Sequence, residues 1–245
     1  MTDQPLLGQS ALVTGGARRI GREIALTLAN AGADVAITFL KSHDEAAALA
    51  DQILALGRAA IAVECDIRSE ESVHRAVAFT AETFGRLDIL VNNAANFEAA
   101  PLDAMSLAQW DAIFASNARG PFLVTREALP HLRTAQGRII HLGSLGGIQA
   151  WPGHAHYCAS KAALHSLTHT MARALAPEVT VNCVAPGFIE MDDSPHEAGA
   201  RFAERTPMRR NGTAQDIADA VLFFATGPRF ITGQILVVDG GLGLV

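Results

Sequence analysis

Short apolar, β-rich runs alternate along this chain with stretches whose apolar positions recur at helical spacing, and that alternation narrows the possible folds more than any other feature. Ser10 to Val13, Asp34 to Leu40, Ala59 to Glu64, Leu87 to Val91, Arg138 to Leu142, Val179 to Val184 and Ile231 to Gly241 read as strands. Helical spacing spans the end of the glycine-rich stretch Thr14 to Gly21 and beyond (Ile20, Ile24, Leu28, Ala31) and covers Asp44 to Leu56, the stretch after Asp66 to about Phe84, Leu107 to Leu132, Tyr157 to Ala176 and Thr213 to Phe224. Gly120-Pro121 marks a bend in the longest of these. Strands separated by helices pair in parallel, so the expectation is an α/β fold, a doubly wound parallel sheet of about seven strands with helices on both faces. A chain of 245 residues without internal repeats suits one such domain better than two small ones, so residues 1–245 are read as a single unit.

Composition removes several functions. A net charge of −6 with no basic block argues against nucleic acid as a partner. Cys65, Cys158 and Cys183 are odd in number and lack Cys-x-x-Cys spacing, which fits packed thiols in a reducing cytoplasm. The start, MTDQPLLGQS, carries no secretory pattern, and no apolar run approaches the roughly 18 residues of a membrane helix. A cytoplasmic protein is therefore expected. His165 and His169 have i,i+4 spacing, but no third ligand accompanies them, and no metal is predicted; solvated or interfacial positions are expected instead. His154 and His156 flank Tyr157 closely enough to rim a pocket.

Three stretches carry chemistry. In Gly137 to Ser166 a strand runs into a Gly-rich bend with Ser144, and a helix opens near Tyr157. Tyr157 and Lys161, four apart, share a helix face. An ammonium close to a phenol favours the phenolate and is expected to bring its pKa toward neutrality, while the Ser144 hydroxyl can hold an oxygen beside it. In Thr14 to Gly21, TGGARRIG, a strand meets a helix through a glycine turn; Gly15 and Gly21 let the backbone approach a pyrophosphate at the helix N-terminus. The second strand then ends without the carboxylate that would hold a ribose 2′-hydroxyl. Arg18, Lys41 and Ser42 offer two cations and a hydroxyl for a 2′-phosphate, which predicts NADP(H).

Ser144 followed by Tyr157-x-x-x-Lys161 resembles the catalytic centre of the short-chain dehydrogenase/reductase family, and the likeness extends from about Ser10 to Gly241. It implies a Rossmann-type fold, catalytic roles for Asn117, Ser144, Tyr157 and Lys161, and a homotetramer acting on a small-molecule substrate. It further implies cofactor contacts from Gly15, Ile20, Gly21, Phe39, Ile67, Asn93 and Ala94, and from Pro186, Gly187 and Ile189 after the sixth strand. By the same resemblance Asp66 receives the adenine amino group; as a helix cap it has an equally good reading. Asn117 is implied to distort its helix and hold a water linked to the lysine. Asn92 is expected to tie neighbouring strands together.

The family pattern is broken at Arg19, where most members have glycine. A basic residue there, FLKS at Phe39 to Ser42, and Phe97 after Asn92-Asn93-Ala94 resemble the pteridine reductases, in which the base faces cofactor phosphate and the aromatic stacks on substrate. Phe97 as a simple cover of the core is the competing reading. Ser144 instead resembles the carbonyl and alcohol enzymes. An NADPH-dependent carbonyl/alcohol oxidoreductase is therefore placed first, a pteridine reductase second, and a catalytically silent NADPH-binding regulatory protein third. Phe188 to Arg205, polar and broken by Pro195 and Gly199, reads as a substrate lid over about 188–206. Its Met191, Asp192, Asp193 and Phe202, with His154 and Phe97, are the expected substrate contacts. Met191 stands where the family often has a threonine.

Overall fold

The computed structural model describes residues 4–191 and 196–245. Its strands are β1 (Ser10–Val13), β2 (Asp34–Phe39), β3 (Ala60–Glu64), β4 (Ile89–Asn92), β5 (Arg138–Leu142), β6 (Thr180–Pro186) and β7 (Ile235–Val238). All pair in parallel, in the order β3-β2-β1-β4-β5-β6-β7. The helices are α1 (Arg19–Asn30), α2 (His43–Ala55), α3 (Glu70–Phe84), α4 (Leu107–Phe114), α5 (Gly120–Thr134), α6 (Ala155–Leu175), α7 (His196–Arg205) and α8 (Ala214–Thr226).

Period-two alternation divides the strands between two cores. Ala11, Val13, Ile89 and Val91 face the layer built from α1, α2 and α8. Leu12, Leu90 and Ile139 face α3, α5 and α6. Both sheet faces are thus covered, as a parallel sheet requires. The strand order reverses between β1 and β4, and there the two carboxyl ends open a crevice.

Four boundaries depart from the sequence reading for identifiable reasons. The last strand is only four residues long, because Gly233 (φ 72°) and Gly240 (φ 60°) take left-handed conformations that no strand accommodates. The single helix expected over 107–132 is three pieces: α4, a wide π turn at Ala115–Arg119, and α5. Gly120-Pro121 opens α5 directly after the π turn, so the irregularity lies at and just before the bend that the sequence marks. Helix α6 opens two residues before Tyr157. Finally, the polar 188–206 segment is not a bare loop, since it holds α7 and an Ile189–Gly212 bridge. Gly199 lies inside that helix as a close-packing point: the Asn211 amide donates to its carbonyl at 3.0 Å, and a Cβ would sit 3.2 Å from that nitrogen. Asp192, Asp193 and Pro195 lie outside the described residues. Among the described residues no helix is long and apolar enough to cross a membrane.

Candidate active site

The glycine turn between β1 and α1 is cross-braced from β4. Thr14 Oγ1 accepts the backbone N–H groups of Asn93 (3.0 Å) and Ala94 (3.1 Å). The Asn93 amide donates to the carbonyls of Thr14 (2.9 Å) and Gly15 (3.0 Å), and Gly15 N–H donates to Thr38 Oγ1 at 3.1 Å. Gly15 has φ 62°. A Cβ on Gly21 would lie 2.4 Å from the Gly15 carbonyl, so only glycine lets α1 begin this close beneath the turn. Asn92, one residue earlier, bridges Thr125 on α5 (3.1 Å) and His141 on β5 (3.2 Å), which ties β4 to its neighbours as expected.

Above this turn lies a cavity of about 610 Å³ lined by Gly15, Arg18, Arg19, Ile20, Gly21, Phe39, Lys41, Ser42, Asp66, Ile67, Asn93 and Ala94. The dispersed set proposed from sequence is thereby brought to one wall system. Arg18 faces Glu45 of α2 at 3.7 Å, an exposed pair worth well under about 1 kcal/mol and easily exchanged for a better anion. Ser42 occupies the N-cap position of α2 without capping it. Asp66 is not a cap either. Ser69 caps α3, while Arg68 grips both Asp66 oxygens (2.8 and 2.7 Å) and holds that carboxyl below its usual pKa.

A second cavity, of about 940 Å³, shares Ile20, Asn93, Ala95 and Met191 with the first and extends over the ends of β5 and β6. Ser144, Tyr157 and Lys161 line it, with Phe97, His154, Pro186, Gly187, Ile189, Met191 and Phe202. Ser144 leaves β5 in extended conformation, its Oγ accepting Gly146 N–H at 3.0 Å. Lys161 is buried and donates to the Leu142 carbonyl at 2.8 Å. Its Nζ stands 5.9 Å from the Tyr157 ring centre.

A family model described as Enoyl-(Acyl carrier protein) reductase matches residues 15–243. A 3-oxoacyl-(acyl-carrier-protein) reductase of Synechocystis sp. is 38% identical over 97% of this chain and 98% of its own length. Among solved structures, a blue fluorescent protein from a metagenomic library in complex with NADPH superposes with a TM-score of 0.92 at 37% identity, covering 98% of this chain and 99% of that one. A short chain dehydrogenase of Burkholderia cenocepacia in complex with NADP gives a TM-score of 0.90 at 42% identity, over 97% and 99%. This chain belongs to the short-chain dehydrogenase/reductase family.

Within this short-chain dehydrogenase/reductase the departure at Arg19 has a backbone consequence. Arg19 has φ 52°, the left-handed conformation that glycine adopts without strain. The turn has thus kept a glycine geometry while gaining a cation on the nucleotide cavity. Arg19→Gly is expected to keep the fold and to weaken NADPH binding about tenfold, the loss of one charge-assisted contact. Circular dichroism with a fluorescence titration of NADPH checks it; unchanged affinity would mean that Arg19 does not face the nucleotide.

The electrostatics correct one expectation. Burial is the largest influence on Tyr157 and pushes its phenol above the ordinary value near 10, with a hydrogen bond involving Ser144 acting in the opposite direction. Lys161 is itself drawn down to about 8 by burial. In this structure, therefore, burial sets the direction of the phenol's shift, upward instead of toward neutrality. Asn117 lies inside the π turn, where its helix is distorted as the resemblance implies. It is completely buried, its amide donating to Asn96 O (2.9 Å) and Ser160 Oγ (3.1 Å) and its Oδ1 accepting Asn96 N–H (2.8 Å). Ser160 in turn donates to the Tyr157 carbonyl at 2.7 Å, so the π turn braces the helix that carries the phenol.

Sequence reasoning missed several neighbours. Trp151 stacks on Tyr157 (6.1 Å, 15°), and Phe97 meets that ring edge-on (4.8 Å, 90°) while stacking on His154 (4.9 Å, 18°). Phe97 is 64% exposed, which rules out its reading as a cover of the core. His156, by contrast, is fully buried and stands off the pocket rim. His165 is buried as well, not solvated: a Cβ on Gly143 would sit 2.3 Å from its Nε2, and one on Gly147 2.6 Å from its Cε1. Burial lowers its pKa to about 4 and keeps the ring neutral under the Ser144 bend. Gly143 and Gly147 were the only signals of that wedge in the sequence. Among the described residues no three histidine, cysteine or acidic side chains converge on a metal position.

Proposed function

We propose that this short-chain dehydrogenase/reductase is an NADP(H)-dependent oxidoreductase that moves a hydride between the nicotinamide and a small carbonyl/alcohol substrate. The observation that carries the reading is the convergence of Ser144, Tyr157 and Lys161 on one largely apolar cavity joined to a second one walled by Arg18, Arg19 and Lys41. The glycine cradle at Gly15 and Gly21 and the acid-free end of β2 fit a phosphorylated dinucleotide. Arg18, Lys41 and Ser42 would hold the 2′-phosphate, Asp66 the adenine, and Pro186, Gly187 and Ile189 the nicotinamide side. When bound, the dinucleotide supplies the hydride.

The chain's own residues manage the oxygen and its proton. Ser144 orients the substrate oxygen, and Tyr157, kept protonated at neutral pH by burial, donates to it as negative charge develops. Lys161 places a positive charge beneath the phenol and anchors itself on Leu142 O. Asn117 positions Tyr157 through Ser160. The family model and the Synechocystis relative name different bonds, C=C and C=O. An enoyl thioester also presents a carbonyl oxygen that a hydroxyl pair can hold, so the carbonyl reading follows instead from the resemblance of Ser144 to the carbonyl and alcohol enzymes.

The pterin reading rests on Arg19, the Phe39 to Ser42 stretch and Phe97 and takes second place; the silent regulatory reading leaves Ser144, Tyr157 and Lys161 idle. Oxidation of NADPH and NADH followed at 340 nm with ketones, 3-oxoacyl thioesters and dihydropterins separates all three. Turnover of ketones or oxoacyl thioesters is expected, and turnover of dihydropterin alone would reverse the order. Lys41→Glu is expected to lower kcat/KM for NADPH about tenfold to a hundredfold while sparing NADH, as a carboxylate repels the 2′-phosphate. Equal losses with both nucleotides would remove Lys41 from that role. A homotetramer completes the reading, and a monodisperse monomer in light scattering would contradict it.

A further inference from the structure

The carbonyl cavity is asymmetric in charge. Among the described residues that line it, Lys161, Arg201 and Arg205 are cationic and none is acidic, although the whole chain carries −6. Arg201, Phe202 and Arg205 lie one and four positions apart on α7 and share the face turned to the cavity. Both guanidiniums are exposed, and among the described residues neither has a carboxylate within ion-pair distance. The nearby Glu190 carboxylate is taken up by the Asn211 amide at 3.3 Å. Two like charges at i,i+4 repel each other, so an anion between them stabilises the helix as well as itself. The guanidinium fork matches a carboxylate or phosphate better than any neutral group. Between this rim and Ser144 the walls are apolar and aromatic, including Phe97, Trp151 and Phe188, with Phe188 stacked on Phe202 at 4.4 Å.

We propose that Arg201 and Arg205 select carbonyl substrates that carry an anionic group, a carboxylate or a phosphate, at the end remote from the carbonyl, with an apolar or aromatic body between. The inference rests on the carbonyl reading above and names the substrate class of that site. The apolar walls take the body of the molecule, the arginines take its charge, and the carbonyl is left at Ser144 and Tyr157.

Matched pairs of substrates test it on the NADPH-loaded enzyme: 4-acetylbenzoate against its methyl ester, and the acetoacetyl thioester of phosphopantetheine against that of pantetheine. The first pair probes a carboxylate and the second a phosphate. At least one anionic member is expected to have a kcat/KM tenfold or more above its neutral partner, with the advantage shrinking as salt is raised. Arg201→Gln with Arg205→Gln is expected to raise KM for that anionic member about tenfold and for the neutral one less than twofold, and Arg205→Lys to retain part of the preference. Turnover of neutral members as good as that of their anionic partners overturns this inference and leaves the carbonyl reading standing. No turnover of any of the four overturns the carbonyl reading, and this inference with it. If the double variant instead raises KM for NADPH, the arginines serve the cofactor and the inference fails.

Discussion

Tyr157→Phe is expected to lower kcat for carbonyl reduction by about 10²–10⁴-fold, the range typical of a lost general acid, with NADPH binding nearly unchanged. The substitution deletes one oxygen and leaves the packed ring: Trp151 stacks on its face and Phe97 meets it edge-on, contacts that phenylalanine keeps. A comparable fall in melting temperature would point to a structural role, so thermal unfolding belongs beside the kinetics. The raised phenol pKa adds a directional expectation. At neutral pH Tyr157 holds its proton, ready to give it to a developing alkoxide. Alcohol oxidation needs the phenolate and is expected to speed up as pH rises toward the phenol pKa. An oxidation rate that is flat from pH 7 to 10 would remove Tyr157 as the base.

Lys161→Met is expected to abolish most of the activity and yet to stabilise the protein at pH 7. The ammonium is buried, and its pKa falls from 10.5 in the unfolded chain to about 8 in the folded one. Below pH 8 both states carry the proton, and the full penalty for burying the charge, about 3 kcal/mol from the size of that shift, is present. Between pH 8 and 10.5 the unfolded chain binds more protons than the native one, so wild-type stability rises with pH and the penalty disappears. Methionine removes the charge but leaves the Leu142 carbonyl without its donor, a cost of about 1 kcal/mol. The net gain expected at pH 7 is about 2 kcal/mol, read from urea unfolding, and by pH 10.5, with the charge penalty nearly gone, the sign should have reversed and the variant be slightly the less stable. A variant less stable than wild type at pH 7 would show that the ammonium is favourably bound, and the account of a strained catalytic charge would fall.

The legible features were those that short-range geometry decides. A strand followed by Gly15, Gly21 and a helix has few ways to be arranged, and Tyr157 and Lys161 share a face because the helix repeats every 3.6 residues. The missing acid at the end of β2 is visible in the sequence, because the residues that meet a ribose lie directly after a recognisable strand. Less legible were groups whose environment comes from distant segments. His165 looked like one of many helix histidines until Gly143 and Gly147, about 20 residues earlier, closed around it. Trp151 carries no motif, yet it covers the phenol. Helix α7 was hidden by Gly199, whose packing against Asn211 outweighs its low helix propensity.

The sequence by itself determined the parallel α/β architecture, the glycine turn after β1 and the shared helix face of Tyr157 and Lys161, since each follows from local spacing and residue chemistry. Only the tertiary structure decided how those side chains behave. The pKa of Tyr157 depends on how much water the folded chain excludes, which no motif encodes, and burial raises it while also lowering that of Lys161. The same holds for Arg201 and Arg205, two charges that gain meaning when the fold sets them beside Phe202 on the wall of the cavity that holds Ser144 and Tyr157.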